Sequence, residues 1–138
     1  EAIYWGNNRQ WGHGNGTGPW VMADLENGLW AGSDRVGTSN TPIDAEYVTA
    51  MAKGKAGGFA LKGGDAQLSG GLKTLYEGKR PPKYEKMKKQ GAIILAIGGD
   101  NSDWAVGTFY EGAMAFGWSS DETDAKVHAS IVAAGYGR

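Results

Sequence analysis

Pro19-Trp20-Val21-Met22-Ala23-Asp24-Leu25-Glu26-Asn27 is the stretch whose reading decides the architecture. Side chains alternate along an extended strand, so Val21, Ala23 and Leu25 share one face while Met22, Asp24 and Glu26 share the other. The apolar face can pack into a core and hold the strand rigid. The two carboxylates would then stand about 6.5–7 Å apart along the opposite face. That arrangement suits a catalytic cleft. A strand whose second face is simply wet carries the same pattern, because acidic side chains are mostly exposed.

Working outward, other apolar segments bounded by glycines read as strands: Ala2–Trp5, Tyr47–Lys53, Phe59–Lys62, Ala92–Ile97 and Thr108–Trp118. The run Gly91-Ala92-Ile93-Ile94-Leu95-Ala96-Ile97-Gly98-Gly99 is apolar on both faces, as a central strand covered on both sides requires. Lys and Pro crowd Gly78–Gln90, which reads as a solvated loop. Ser119-Ser120-Asp121-Glu122 matches a capping box, and Val127, Ile131 and Ala134 follow at helical spacing before Gly135. The expected class is therefore an all-β antiparallel sandwich, one domain over residues 1–138, with a short carboxy-terminal helix.

Composition narrows the partners. The 138 residues are 41% hydrophobic and 21% charged with a net charge of −1, which describes a globular chain without affinity for nucleic acid or an anionic membrane. Twenty-four glycines accompany six Trp and six Tyr, a mixture that supplies tight turns together with flat, polar-edged rings suited to neutral sugars. Cysteine is absent, so these residues build no disulfide and no thiolate site. The opening Glu1-Ala2-Ile3-Tyr4-Trp5 carries neither an initiator Met nor a basic leader, and reads as internal to a longer chain.

Several further residues are candidates for chemistry. Asp100 follows Ile97-Gly98-Gly99, where glycines let a ligand approach the backbone; Gly-Asp-Asn is also ordinary turn chemistry. Glu111 can orient a catalytic group or serve as a strand-face charge paired with Lys or Arg. Trp11, flanked by glycines, is expected at the surface, where it can stack on a sugar. Its loop, Trp11–Gly18, lacks the G-x-G-x-x-G spacing and a following helix, which argues against nucleotide binding. His13 and His128 are too few for a His-based metal cluster. Asn15-Gly16-Thr17 is a glycosylation sequon, consistent with secretion.

Glu1–Asn7, Gly18–Asn27, Lys89–Ser102, Gly107–Gly112 and Ile131–Ala134, in collinear order over nearly the whole chain, resemble the family 54 α-L-arabinofuranosidases. The resemblance implies a concanavalin-like, jelly-roll-type β-sandwich and a secreted retaining hydrolase. Its expected substrate is the terminal α-L-arabinofuranosyl group of arabinoxylan or arabinan. By motif position, Glu26 is similar to the nucleophile and Asp100 to the general acid/base; Asp24, Asn27, Gly99 and Trp11 match positions that hold the arabinose. No metal or organic cofactor is implied. The family's catalytic domain is roughly twice this length, so the resemblance also implies an incomplete sandwich, the carboxy-terminal half. A noncatalytic sugar-binding module, stacking sugars on Trp11, Trp20 or Trp30, explains the aromatics but not the two carboxylates.

Overall fold

The computed structural model describes residues 2–25, 27–84, 103–105 and 107–138. The expected strand Ala92–Ile97 and the site positions Glu26, Gly99 and Asp100 lie outside the described residues.

Among the described residues eight strands and one helix follow in chain order: β1 (Ala2–Gly6), β2 (His13–Gly14), β3 (Trp20–Asp24), β4 (Leu29–Trp30), β5 (Val36–Gly37), β6 (Val48–Lys55), β7 (Gly58–Asp65), β8 (Lys73–Gly78) and α1 (Asp121–Ala134). An antiparallel sheet of order β1-β3-β4 faces a second antiparallel sheet of order β6-β7-β8. β2 and β5 form a short parallel pair. The fold is thus the β-sandwich that alternation implied.

β3 supplies both halves of the core. Val21, Ala23 and Leu25 pack with Ile43, Phe59, Leu61 and Leu75, so one face of β3 meets the second sheet. Trp20 and Met22 instead join Tyr4, Leu29 and Ala31 in a second cluster. All five residues of β3 are buried, which excludes the wet-face reading. Each large side chain so buried contributes about 1.5–3 kcal/mol. At Gly63 of β7 an added Cβ would lie 2.9 Å from Val21 and 3.2 Å from Ile43, a close approach that only glycine permits where the two sheets meet.

The outer face of the second sheet carries α1. In β6 the outward set is Thr49, Met51, Lys53 and Lys55, and in β7 it includes Ala60, Lys62 and Gly64. Lys53 and Lys62 both place Nζ 2.7 Å from Asp124 Oδ2, and Lys62 also lies 2.6 Å from Asp121 Oδ1. His128 bonds Thr49 Oγ1 and the Leu68 carbonyl, each at 3.0 Å. Val127, Ile131 and Ala134 recur at helical spacing as read, but they are not what the helix buries. It buries Asp124 and His128 instead, leaving Val127 46% exposed, because two lysines on the sheet require a carboxylate opposite them. Ser120 caps the helix by accepting from the Thr123 amide at 3.2 Å, while Ser119 turns to Asp124 Oδ1. Gly135 ends the helix in the left-handed conformation, φ 75°.

One expected strand is not formed, and β8 was not expected. Thr108–Trp118 forms no strand: residues 107–117 are exposed and irregular, and an apolar pattern becomes a strand only beside a hydrogen-bonding neighbour. β8 was missed because only Leu75 of its six residues is buried, leaving little alternation to read. The loop after Gly78 is irregular through Tyr84 as expected, yet Pro81 is buried and Tyr84 packs edge-on against Trp30 at 5.4 Å.

Candidate active site

β3 and β4 form a hairpin whose loop closes through the Leu25 amide donating to the Gly28 carbonyl at 3.2 Å. Asn27 adopts φ 48° and Gly28 φ 146°, and Asn-Gly is a dipeptide that tolerates such turn conformations. Arg35 holds the turn from outside: its guanidinium donates to the Asn27 carbonyl and lies over the Trp30 ring at 5.6 Å. A Cβ on Gly28 would sit 2.7 Å from Arg35 Nε, so the close approach of Arg35 requires glycine there.

The loop bearing Trp11 runs along this hairpin. Leu29 donates its amide to the Trp11 carbonyl at 3.1 Å, and the Trp11 amide donates to Oδ1 of the fully buried Asn8 at 2.9 Å. An added Cβ on Gly12 would meet the Leu29 carbonyl oxygen at 2.0 Å, which shows how tightly the two segments lie. Trp11 is half-buried, its ring packed against the Tyr4–Trp20–Met22 cluster rather than standing free at the surface. Asp24, opposite Ala2 in β1 and Leu29 in β4, is only 2% exposed. A carboxylate at that depth is tolerated only with polar partners around it.

The structure therefore gathers three of the expected residues, Asp24, Asn27 and Trp11, at one hairpin, with Glu26 adjoining them in sequence. Arg35 and Asn8 are residues that sequence reasoning missed. Asn27-Gly28 is a turn dipeptide that could have marked the hairpin, which the sequence reading did not draw; nothing local to Arg35 or Asn8 marks a partner that distant in sequence.

The other candidates lie elsewhere. Glu111 is exposed and accepts from the Tyr136 hydroxyl at 2.7 Å, a bond that raises the phenol above its usual range. Its partner is thus a tyrosine, not a Lys or Arg. His13 contacts the Gly14 carbonyl at 2.8 Å through Nδ1 and tilts against Trp20. Among the described residues no group of three or more His, Cys, Asp or Glu side chains could hold a metal ion, and no helix is long and apolar enough to cross a membrane.

Residues 1–137 match the sequence model of the family described as alpha-L-arabinofuranosidase B, catalytic. The chain belongs to that family. It is 54% identical over 139 residues to a probable alpha-L-arabinofuranosidase B of Aspergillus fumigatus, covering 99% of this chain and 27% of that protein. It is 53% identical to an alpha-L-arabinofuranosidase of Hypocrea jecorina, covering 99% of this chain and 28% of the other. A crystal structure of an arabinofuranosidase complexed with arabinofuranosyl-α-1,2-xylobiose superposes with a TM-score of 0.85 at 50% identity, over 97% of this chain and 28% of that one. The chain thus spans little more than a quarter of these arabinofuranosidases, and the hairpin with Asp24, Asn27 and Trp11 falls within the matched part.

Proposed function

We propose that the protein to which this chain belongs is a retaining arabinofuranosidase that releases terminal α-L-arabinofuranosyl groups from arabinoxylan or arabinan. The observation that carries the reading is the collinear match of residues 1–137 to a catalytic family, with both candidate carboxylates inside it. A relative's complex with an arabinofuranosyl-substituted xylobiose supports a branched xylan as substrate. The exposed Asn15-Gly16-Thr17 sequon accords with an extracellular enzyme, since glycosylation needs an accessible loop.

In this reading Glu26 attacks the anomeric carbon while Asp100 protonates the leaving oxygen. Asp100 then deprotonates the water that hydrolyses the glycosyl-enzyme, restoring the starting configuration. A retaining enzyme needs its two carboxyl groups about 5–5.5 Å apart across the scissile bond. Asp24 and Glu26, neighbours along one segment, are poorly disposed to flank a bond; Glu26 and Asp100 come from separate segments and suit that task. Asp24, Asn27, Gly99 and Trp11 hold the sugar. Charge-assisted bonds to Asp24 strengthen as positive charge develops on the ring.

The test is to follow the anomer released by the full-length protein from an aryl α-L-arabinofuranoside by proton NMR. Initial release of the α-anomer supports the assignment. Inversion would sink the nucleophile role of Glu26, and binding without cleavage would favour a sugar-binding module.

A further inference from the structure

A cleft of about 290 Å³ opens where β1 ends, lined by Trp5, Gly6, Asn7, Pro19, Asp44 and Trp104. Gly6 pairs with Trp20 and Ala2 with Asp24, so the cleft lies four residues, about 13 Å, along β3 from Asp24. Its walls are fixed by bonds that leave the rings in place. Trp5 Nε1 donates to the Ile43 carbonyl at 2.9 Å, and the Asn7 amide donates to the Trp104 carbonyl at 3.4 Å. The Tyr4 hydroxyl donates to the Asp103 carbonyl at 2.9 Å, anchoring the segment before Trp104. A Cβ on Gly6 would stand 2.7 Å from the Trp104 oxygen, so glycine lets that segment close over β1.

Trp104 itself is unusual twice over. Its φ of 59° is a left-handed conformation that a bulky residue rarely adopts, and its side chain is 61% exposed. Among the described residues neither burial nor backbone preference accounts for a tryptophan at this place.

The lining selects the ligand. Among the described residues no Lys, Arg or His borders the cleft, while Asp44 supplies a carboxylate and Asn7 a carboxamide beside two indoles. Anions are disfavoured. A pyranose fits: its C–H face packs on indole, its hydroxyls donate to Asp44, and Asn7 both donates and accepts. We propose that this cleft binds a pyranose of the glycan main chain, a secondary site separate from the hairpin that carries Asp24. The choice of ligand rests on the arabinofuranosidase reading; the existence of the site does not.

The experiment titrates the full-length protein with linear xylo-oligosaccharides lacking arabinose, by calorimetry, beside Trp104→Asn and Asp44→Asn. Asparagine tolerates the left-handed backbone, so the ring is removed without adding strain. The parent is expected to bind and each variant to bind about tenfold more weakly, with a matching rise in KM on arabinoxylan. Turnover of a small aryl arabinofuranoside, which makes no main-chain contact, should stay within about twofold. No binding by the parent, or equal binding by all three proteins, overturns the site. An equal loss on the aryl substrate places Trp104 in the reaction pocket and also overturns it. Tetramethylammonium bound in place of xylo-oligosaccharide overturns the ligand, since an aromatic cleft with a carboxylate can also hold a cation. A parent that binds xylo-oligosaccharide yet releases no arabinose refutes the enzyme reading and leaves this proposal standing.

Discussion

Replacing Asp124 by Asn should destabilise the protein by about 3 kcal/mol, at the lower end of the cost of removing one partner from a buried ion pair. Asp124 Oδ2 lies 2.7 Å from both Lys53 Nζ and Lys62 Nζ, whose side chains are 7% and 4% exposed. The variant leaves two buried ammonium groups facing a neutral amide. Lys62 keeps Asp121 at 2.6 Å, and Lys53 keeps the Ser119 carbonyl at 2.8 Å, which is why the lower figure applies. Urea unfolding of the full-length protein gives the value from the shift in midpoint at constant slope. Exchanging Asp124, Lys53 and Lys62 together for apolar residues should cost much less, because no charge is then left unpaired. A change below about 0.5 kcal/mol for Asp124→Asn would refute the reasoning, since that is the size expected of a surface substitution.

Acid should test the same cluster. Burial disfavours the Asp124 carboxylate, but hydrogen bonds from Lys53, Lys62 and Ser119 outweigh it, so the group titrates below the usual range. A depressed folded pKa means the stabilisation is fully present above the unfolded value near 3.8 and is lost as pH falls through the folded one; the wild type but not Asp124→Asn should show that loss in pH-dependent unfolding. Gly28→Ala should cost about 1–3 kcal/mol in thermal unfolding, from backbone strain and the clash with Arg35, and should lower kcat by distorting the hairpin. Arg35→Lys, which loses the planar fork over Trp30, should reduce kcat/KM about tenfold in steady-state kinetics. Asp24→Asn should lower kcat/KM about 10- to 100-fold, the worth of a hydrogen bond to a charged group; an unchanged value would remove Asp24 from sugar binding.

Much of the architecture was legible because it depends on period. The alternation put Val21, Ala23 and Leu25 into the core, as the structure has it, but did not reveal that Trp20 and Met22 on the other face join a second buried cluster with residues distant in sequence. The capping-box stretch Ser119–Glu122 and Gly135 likewise mark the helix ends through local chemistry, the cap falling one residue along at Ser120. What sequence hides is pairing between distant polar residues. Lys53, Lys62 and Asp124 each look like solvated charges until β6, β7 and α1 are brought together, and Arg35 looks like a surface cation until it reaches Asn27. At the candidate site the strand bearing Asp24 was legible from alternation, the hairpin that brings Asn27 and Trp11 beside it was not, and the roles of Glu26, Asp100, Gly99, Asn27 and Trp11 rest on motif position.

The central claim meets its most direct test in kcat of the full-length protein on an aryl α-L-arabinofuranoside, measured beside Glu26→Ala and Asp100→Ala. The account expects the parent to turn over and both variants to lose most of kcat while still folding. Parental turnover that survives loss of either carboxylate would contradict it.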